Sequence, residues 1–379
     1  MTKIKCEICG AEVHSIKSHL DAEHQGTDVA SYKASYPDAP LLSEPAKQKL
    51  MEIQRNKSNQ EKMMGGELKK PLHEVFGIPS KTKGAMNASG GPIPIMVMGD
   101  SENEFIKSLV PDVDDNYIFN IDDLKTAVMG IECSIPTFIY GHAGTGKTTL
   151  FRQICARTNR PSLRVQHSGN TEESHIVGQY VVKDGATVWE PGPLQICMKE
   201  GITYLADEYD RGLPQVLSVY QPVLEPDGVL VTKEAPPEWR IIKPHPDFRF
   251  IATGNTNGSG DEIGLFPSTS LQDFANFERF GIMIKVGWMP EKQETAVVQG
   301  QAGIPTEDAR QLVKFACEVR KQVDSGNITA PISPRALINA GMIGIRFKDY
   351  AKALELAYIN RLCEADAEAC RQVAQRFFS

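Results

Sequence analysis

The sequence predicts an α/β core built on a parallel β-sheet, preceded by a small Cys/His-rich module and followed by a helical region. Between residues 116 and 289, short apolar runs alternate with stretches of helical periodicity, a pattern typical of parallel sheets. From 290 to 379 only helical periodicity remains. We therefore divide the chain into a Cys/His module (1–26), a helical segment and linker (27–115), the α/β core (116–289) and a helical lid (290–379).

Composition limits the function classes. Hydrophobic residues make up 41% of the 379 residues, as in ordinary globular proteins with a large core. The formal net charge of −7 gives no general attraction to nucleic acid, so any such contact must be local. No apolar run reaches the roughly 20 residues that span a bilayer, and the N-terminus lacks the apolar stretch of a secretion signal. We expect a cytoplasmic protein without membrane contact.

Five apolar runs in the core are candidate strands. Helical patterns separate them, so they predict a five-stranded parallel sheet flanked by helices. The runs are TFIYG (137–141), SLRVQH (162–167), ITYLADE (202–208), FRFIATGN (248–255) and GIMIKVGW (281–288).

A phosphate-binding loop follows the first run. Residues 141–148, GHAGTGKT, fit the pattern G-x-x-x-x-G-K-[ST] between a predicted strand and a predicted helix, a context that a chance glycine-rich turn does not explain. Successive backbone N–H groups of such a loop surround phosphate oxygens at a helix N-terminus. Lys147 adds a charge for the β- and γ-phosphates, and the Thr148 hydroxyl a magnesium ligand. The predicted ATP-binding residues are Gly141, His142, Ala143, Gly144, Thr145, Gly146, Lys147, Thr148 and Thr149.

Two acids, Asp207 and Glu208, end the third run. Ligands bind at the carboxyl edge of a parallel sheet, so both carboxylates should lie near the phosphate loop. We expect Asp207 to hold Mg²⁺ through water and Glu208 to orient and deprotonate the attacking water. A strand ending in Asp-Glu is common by itself. When such a strand follows a phosphate-binding loop in the sequence, it favours a protein that hydrolyses the nucleotide over one that only binds it.

Three further polar residues are candidates. Asn255 ends the fourth run and could reach the γ-phosphate or the water, whereas capping of the next turn suits Asn257 better. Phosphoryl transfer needs cations beyond Lys147 to offset the transition-state charge, and arginine commonly supplies them. Arg279 and Arg335 could do so, although on pattern alone either could be an ordinary surface arginine.

These elements in this order resemble the AAA+ ATPases, and more closely their MoxR branch, over roughly residues 70–345. The resemblance implies that Asn255 is sensor 1 and Arg335 sensor 2, which contacts the nucleotide. It also implies that Arg279 is an arginine finger acting on the ATP of a neighbouring subunit. A finger acting in trans implies a homo-oligomeric ring, usually a hexamer in this family.

Some segments resemble particular features of that branch. Residues 176–193 resemble its β-hairpin insert in helix 2, and residues 226–246 its insert before sensor 1. Other stretches resemble the CobS family of cobaltochelatase ATPase subunits, among them LADEYDRGLPQV (205–216) and IKPHPDFRFIATGNTNGSGDEIGLF (242–266). That resemblance implies a ring ATPase that remodels or activates a protein client carrying a von Willebrand A domain, in a cobaltochelatase-type complex. The N-terminal Cys/His module departs from the CobS pattern.

The N-terminal module contains a candidate zinc site. Cys6, Cys9, His19 and His24 are two thiolates and two imidazoles, the set that a tetrahedral structural Zn²⁺ requires. So short a segment has little core, and metal binding would supply its folding energy. We rank His14 lower as an alternative ligand, and two incidental cysteines beside exposed histidines are the competing interpretation. The spacing resembles the Ros/MucR type of zinc finger.

Zinc does not by itself predict DNA binding. Residues 47–70 are locally basic and could follow a phosphate backbone, but a solvated helix face explains the same charges. A zinc-finger-targeted, DNA-associated ATPase or binding module is therefore the alternative function.

Overall fold

The computed structural model describes residues 3–24, 27–37, 39–43, 68–261 and 264–378. The chain divides into two compact units, Met1–Gly66 and Glu67–Ser379. The helices predicted between residues 44 and 64, and the basic residues of 47–67, lie outside the described residues.

The N-terminal unit is a short hairpin followed by two helices. β1 (Ile4–Lys5) pairs antiparallel with β2 (Glu12–Val13), and α1 (Ile16–Glu23) and α2 (Val29–Ser35) follow. Ser15 and Asp28 cap the two helices by accepting hydrogen bonds from backbone N–H groups of their first turns. The buried core consists of Cys6, Ile16, Leu20, Tyr32 and Ala39. This core therefore extends past residue 26, since the hairpin and α1 alone offer few apolar side chains.

The second unit begins with a packed segment. β3 (Leu68–Pro71) leads into α3 (Leu72–Val75) and pairs antiparallel with β4 (Pro94–Val97), which α4 (Glu104–Ser108) follows. The glycines and prolines of this segment led us to predict a linker. The structure shows packed chain instead, because Leu72, Phe76 and Ile95 are buried in an apolar cluster beneath the main sheet.

The α/β core contains the five predicted strands. Its elements in chain order are α5 (Ile121–Glu132), β5 (Thr137–Gly141), α6 (Lys147–Arg157), β6 (Ser162–Gln166), α7 (Glu173–Val177), β7 (Gly178–Lys183), β8 (Ala186–Pro191), α8 (Pro193–Glu200), β9 (Thr203–Asp207), α9 (Pro214–Leu217), α10 (Gln221–Leu224), β10 (Leu230–Val231), α11 (Pro237–Arg240), β11 (Ile241–Ile242), β12 (Arg249–Gly254), α12 (Phe274–Phe277) and β13 (Ile282–Val286). The main sheet has the order β13-β5-β12-β9-β6, and every pairing in it is parallel. The predicted five-stranded parallel sheet is confirmed.

Both faces of the main sheet are buried. Phe138 and Ile139 are neighbours on β5, yet they belong to apolar clusters on opposite faces. Burial on both faces explains why the runs are almost continuously apolar instead of alternating.

Two small antiparallel pairs project from the core. β7 and β8 form a hairpin whose turn residues, Asp184 and Gly185, have φ values of 51° and 78°, as a two-residue hairpin turn requires. β10 pairs with β11. The hairpin anticipated within residues 176–193 is thus present, and the segment 226–246 contains the β10–β11 pair.

The C-terminal region is helical, as predicted. Its helices are α13 (Glu291–Ala302), α14 (Thr306–Asp324), α15 (Pro334–Phe347), α16 (Tyr350–Ala357) and α17 (Glu364–Phe378). A buried ion pair joins α13 to α14, because Arg320 donates two hydrogen bonds of 2.7 Å to Glu294. Arg320 also donates to the carbonyl of Ile332, just before α15, and so fixes the turn into that helix. Within the described ranges, no helix is both long and apolar enough to span a membrane.

Candidate functional site

The glycine-rich loop joins the carboxyl end of β5 to the first turn of α6. Gly146 caps α6 with φ 89°, and Gly144 has φ 80°, both in the left-handed region. A Cβ on Gly144 would lie 2.8 Å from the Cβ of Ser333, so the loop also needs glycine to pass the helical region closely.

Lys147 lies inside this loop. Its ammonium donates to the carbonyls of Gly141 (2.8 Å) and His142 (2.9 Å) and to Oδ1 of Asn255 (3.1 Å). Burial lowers the pKa of Lys147 to about 8, although Asp210 and the neighbouring acids act to raise it. The structure thus brings the predicted phosphate-binding lysine into contact with the predicted sensor asparagine.

Asp207 ends β9 and is almost fully buried. Its Oδ1 accepts hydrogen bonds from the hydroxyls of Thr148 (2.8 Å) and Thr253, and its Oδ2 accepts from Nε of Arg164 (2.6 Å). Burial raises the pKa of Asp207, but the hydrogen bonds from Thr253, Thr148 and Arg164 outweigh it, and the pKa lies below its usual value. Asp207 is therefore an ionised oxygen donor beside a threonine hydroxyl, a combination that suits a hard cation such as Mg²⁺.

Glu208 follows in a left-handed backbone conformation, with φ 53°. For a residue with a Cβ this conformation costs about 1–2 kcal/mol, and such strain occurs preferentially at functional sites. Its Oε2 accepts a hydrogen bond from Gln166 (2.9 Å) and pairs with Arg211 (3.0 Å). The carboxylate is held at the edge of the sheet and remains partly exposed.

Asp210 supports the loop that presents Asn255. One of its oxygens accepts from the backbone N–H groups of Asn255 and Thr256 (both 2.8 Å) and from the Thr256 hydroxyl (2.9 Å). Burial raises the pKa of Asp210, and the hydrogen bonds from Thr256 and Asn255 offset this only in part. Asn257 accepts from Ser259 and caps a turn, as its position suggested.

His142 contributes its carbonyl to Lys147, while its ring faces a neighbouring cavity of about 400 Å³. The ring stacks on Trp288, with centroids 4.9 Å apart and planes 10° apart. The guanidinium of Arg320 lies 4.1 Å from the centre of the same indole. Burial, and secondarily Lys147, lower the pKa of His142. His142 thus links the phosphate loop to the helical region.

A cleft of about 370 Å³ collects most of the predicted residues. Arg335 enters it from α15, whose N-cap is Ser333. The cleft is lined by Ala143, Gly144, Gly146, Lys147, Thr148, Thr149, Arg164, Asp207, Glu208, Arg211, Thr253, Gly254, Asn255, Leu265, Phe266 and Arg335. Sequence reasoning missed Arg164 and Gln166. Gln166 pairs with Asp207 at the end of the neighbouring strand, a register that the sequence does not show.

A smaller cavity of about 60 Å³ adjoins the loop at Thr145 and Gly146. Aromatic and aliphatic side chains, with a few amide and carboxylate groups, form its walls. They include Tyr117, Asn120, Asp123, Leu150, Met289 and Gln293. Such a lining is typical of ligand sites, but this cavity is much smaller than the roughly 300 Å³ at which ligand pockets begin.

Arg279 lies at the other end of the sheet. It precedes β13, and the register pairs Ile282 with Thr137 at the start of β5 and Val286 with Gly141 at its end. Since this five-residue strand spans roughly 13 Å, Arg279 is remote from the phosphate loop of its own chain. Its guanidinium donates to Glu225 (2.7 Å).

The N-terminal unit brings the four predicted metal ligands together. The ligand atoms of Cys6, Cys9, His19 and His24 all lie within 4.8 Å of one another. Cys9 Sγ is 3.1 Å from His19 Nε2, and Cys6 Sγ is 4.0 Å from His24 Nε2. His14 instead contacts the hydroxyl of Ser43 at 2.9 Å, so the structure does not place this alternative ligand in the cluster.

Two family profiles match the second unit. The profile of the AAA domain (dynein-related subfamily) matches residues 136–269, which contain the phosphate loop and both acids. The CbbQ/NirQ/NorQ C-terminal profile matches residues 294–377, the helical region.

Several characterised proteins are similar along most of this chain. Aerobic cobaltochelatase subunit CobS of Sinorhizobium sp is 30% identical over 316 residues, covering 81% of this chain and 90% of that protein. Protein NorQ of Paracoccus denitrificans is 26% identical over 237 residues, 62% of this chain and 83% of that protein. Von Willebrand factor A domain-containing protein 8 of Mus musculus is 25% identical over 315 residues, 79% of this chain but 15% of that protein. The chain therefore belongs to the AAA+ ATPases, within their CobS-like, MoxR-type branch.

Proposed function

We propose that this chain forms an ATP-driven ring that remodels or activates a protein partner carrying a von Willebrand A domain, as the ATPase subunit of a cobaltochelatase-type complex. The observation that carries the proposal is the placement of two halves of one ATPase site at opposite ends of one sheet. Lys147, Thr148, Asp207 and Glu208 converge at the carboxyl end, and Arg279 lies at the amino end.

As an AAA+ ATPase, the chain uses ATP and Mg²⁺. The donors fit the metal, because the Thr148 hydroxyl and the ionised Asp207 carboxylate lie 2.8 Å apart and are both oxygen ligands. We assign these two residues to Mg²⁺, which when bound neutralises charge on the phosphates. Lys147 then exchanges its carbonyl partners for the β- and γ-phosphate oxygens.

Glu208 is the residue that we assign to the attacking water. It lines the cleft, where its carboxylate can orient the water and accept its proton. Asn255, held beside Lys147, is placed to contact the γ-phosphate or the same water. Arg335 reaches the cleft from the helical region and would couple the nucleotide to the position of α15.

Arg279 completes the site of a neighbouring subunit in this proposal. The strand separates it from the cleft of its own chain, so its guanidinium can offset transition-state charge only when a second copy presents its cleft. This requirement supports a closed homo-oligomeric ring, in which every copy supplies one cleft and one arginine. We expect this ring to be a hexamer, as the resemblance to the AAA+ ATPases implies.

The partner is inferred from the relatives. CobS is a subunit of a cobaltochelatase, and the mouse relative is named for its von Willebrand A domain. A chelatase complex fits the first of these names, and a partner with a von Willebrand A domain fits the second. The test is a client trap, with tagged Glu208→Gln protein held in ATP in its native host. Copurification of a von Willebrand A protein with a large chelatase subunit supports the complex, whereas recovery of nucleic acid or unrelated proteins alone would contradict it.

The Cys/His cluster is proposed as a structural zinc site. Zn–S and Zn–N bonds of about 2.3 and 2.0 Å place tetrahedral ligands roughly 3.3–3.8 Å apart, close to the separations found here. Two thiolates and two imidazoles satisfy the coordination without a water, so the site has no open position for catalysis.

A further inference from the structure

We propose that Arg164 competes with Mg²⁺ for the Asp207 carboxylate and thereby sets the affinity for magnesium-bound nucleotide. The inference rests on the proposed role of Asp207 in the magnesium site. Arg164 lies on β6, directly beside β9, and its Nε donates to Oδ2 of Asp207 over 2.6 Å. Its Nη2 contacts the same oxygen. A cation of the chain itself therefore occupies the carboxylate that we assign to the metal.

The hydrogen-bonding capacity of Asp207 is fully used. A carboxylate accepts about four hydrogen bonds, two on each oxygen. Thr148 and Thr253 donate to Oδ1, and Arg164 supplies both contacts to Oδ2. In the expected magnesium site Asp207 would hold Mg²⁺ through a water that donates to this carboxylate, so one of the present donors would have to leave.

Arg164 is the donor that can leave. Thr253 is buried on the central strand β12, and its hydroxyl also accepts the backbone N–H of Glu208. The Thr148 hydroxyl can give an oxygen lone pair to the metal while its hydrogen stays on Asp207. The Arg164 side chain, by contrast, is 49% exposed, against 4% for Asp207.

Electrostatic repulsion also favours the departure of Arg164 over that of the threonines. A guanidinium and a divalent cation on one buried carboxylate repel each other, whereas the hydroxyl donors are neutral. Binding of Mg²⁺ with nucleotide therefore separates Arg164 from Asp207, and the loss of that ion pair opposes binding. Nucleotide without metal does not need Asp207, so the opposition applies to the magnesium complex alone.

The test measures binding, not turnover, on the full-length chain. A fluorescent, non-hydrolysable ATP analogue is titrated with and without MgCl₂. The affinity with MgCl₂ divided by the affinity without it is the magnesium ratio, and a higher ratio means a stronger dependence on magnesium. Arg164→Gln is compared with Arg152→Gln, which removes an exposed arginine on α6. We expect Arg164→Gln to raise the ratio roughly threefold to tenfold, the range for loss of one charge-assisted contact. Arg164→Lys keeps the charge and should raise it less, and Arg152→Gln should leave it unchanged.

Three outcomes overturn the inference. Equal loss of affinity with and without Mg²⁺ in Arg164→Gln would mean that Arg164 binds phosphate oxygens. A lower ratio would mean that Arg164 orients Asp207 for the metal. If the unsubstituted chain binds the analogue with no magnesium dependence, the proposed magnesium site fails, and the inference fails with it.

Discussion

Lys147 and Arg279 lie at opposite ends of the same parallel sheet. Lys147 follows the carboxyl end of β5, and Arg279 precedes the amino end of β13, the strand that pairs with β5 over its whole length. The two cations therefore cannot serve the same nucleotide within one chain. This separation makes a specific prediction about mixed assemblies.

We expect Lys147→Ala and Arg279→Ala proteins to be inactive separately and to recover ATPase activity when mixed. Lys147→Ala lacks a working cleft but keeps Arg279, whereas Arg279→Ala keeps a working cleft but lacks the arginine. In randomly mixed rings, about a quarter of the interfaces join an intact cleft to an intact arginine. Steady-state ATPase assays of the mixture check this. Arg346→Ala, on an exposed position of α15, is the control and should be active alone. No recovery in confirmed mixed rings would contradict action in trans.

Glu208→Gln should keep nucleotide binding and lose turnover. The amide preserves the shape and the contact with Gln166 but cannot accept the proton of the attacking water. Loss of a general base lowers the rate by about 10²–10⁴-fold. Equilibrium nucleotide binding and single-turnover hydrolysis measure the two effects separately. Glu234→Gln, at an exposed position, should change neither. An unchanged turnover rate in Glu208→Gln would remove Glu208 from the mechanism.

Nucleotide affinity should decrease as the pH rises above about 8. Lys147 has a pKa of about 8 in this structure, because burial disfavours the charged ammonium. A bound triphosphate stabilises the ammonium and raises that pKa, so binding takes up a proton at pH values between the two pKa values. In that window the affinity falls by up to about tenfold per pH unit, and below it Lys147 contributes no pH dependence.

Calorimetry checks the proton uptake directly. Binding enthalpies measured at the same pH in buffers of different ionisation enthalpy give the number of protons taken up. We expect uptake above pH 8 that falls towards zero at lower pH, and Lys147→Arg should remove it, since guanidinium stays charged throughout. Proton release on binding above pH 8 would contradict the prediction, because Lys147 can only take up a proton when the nucleotide binds.

Local sequence was sufficient for the strands and the phosphate loop, because each is a continuous segment with its own pattern. The residues that hold the acids were not predictable in this way. Arg164 and Gln166 act on Asp207 and Glu208 because β6 lies beside β9, and that pairing joins residues about forty positions apart. Arg211, by contrast, lies three positions after Glu208, and its contact with that carboxylate is local.

The segment before the core was misjudged for a related reason. Its glycines and prolines do form turns, and the helical spacing of Leu72 and Phe76 covers only the single turn of α3, while Ile95 lies on a separate strand. Their burial depends on the apolar surface that the main sheet provides. Turn-forming composition indicates where the chain bends, and it does not show whether the bends are packed.

Removal of metal should unfold the N-terminal unit and leave the ATPase unit intact. The described core of the N-terminal unit is small, and zinc-finger peptides derive about 10–16 kcal/mol from Zn²⁺ binding. We expect about one zinc per chain by elemental analysis, lost in Cys6→Ser and retained in Cys133→Ser, which removes an exposed thiol elsewhere. Protease cleavage should become rapid within the first 43 residues of Cys6→Ser or of chelated protein, while nucleotide binding persists. Stoichiometric zinc in Cys6→Ser, or equal protease resistance with and without chelator, would show that these four residues do not hold a structural metal.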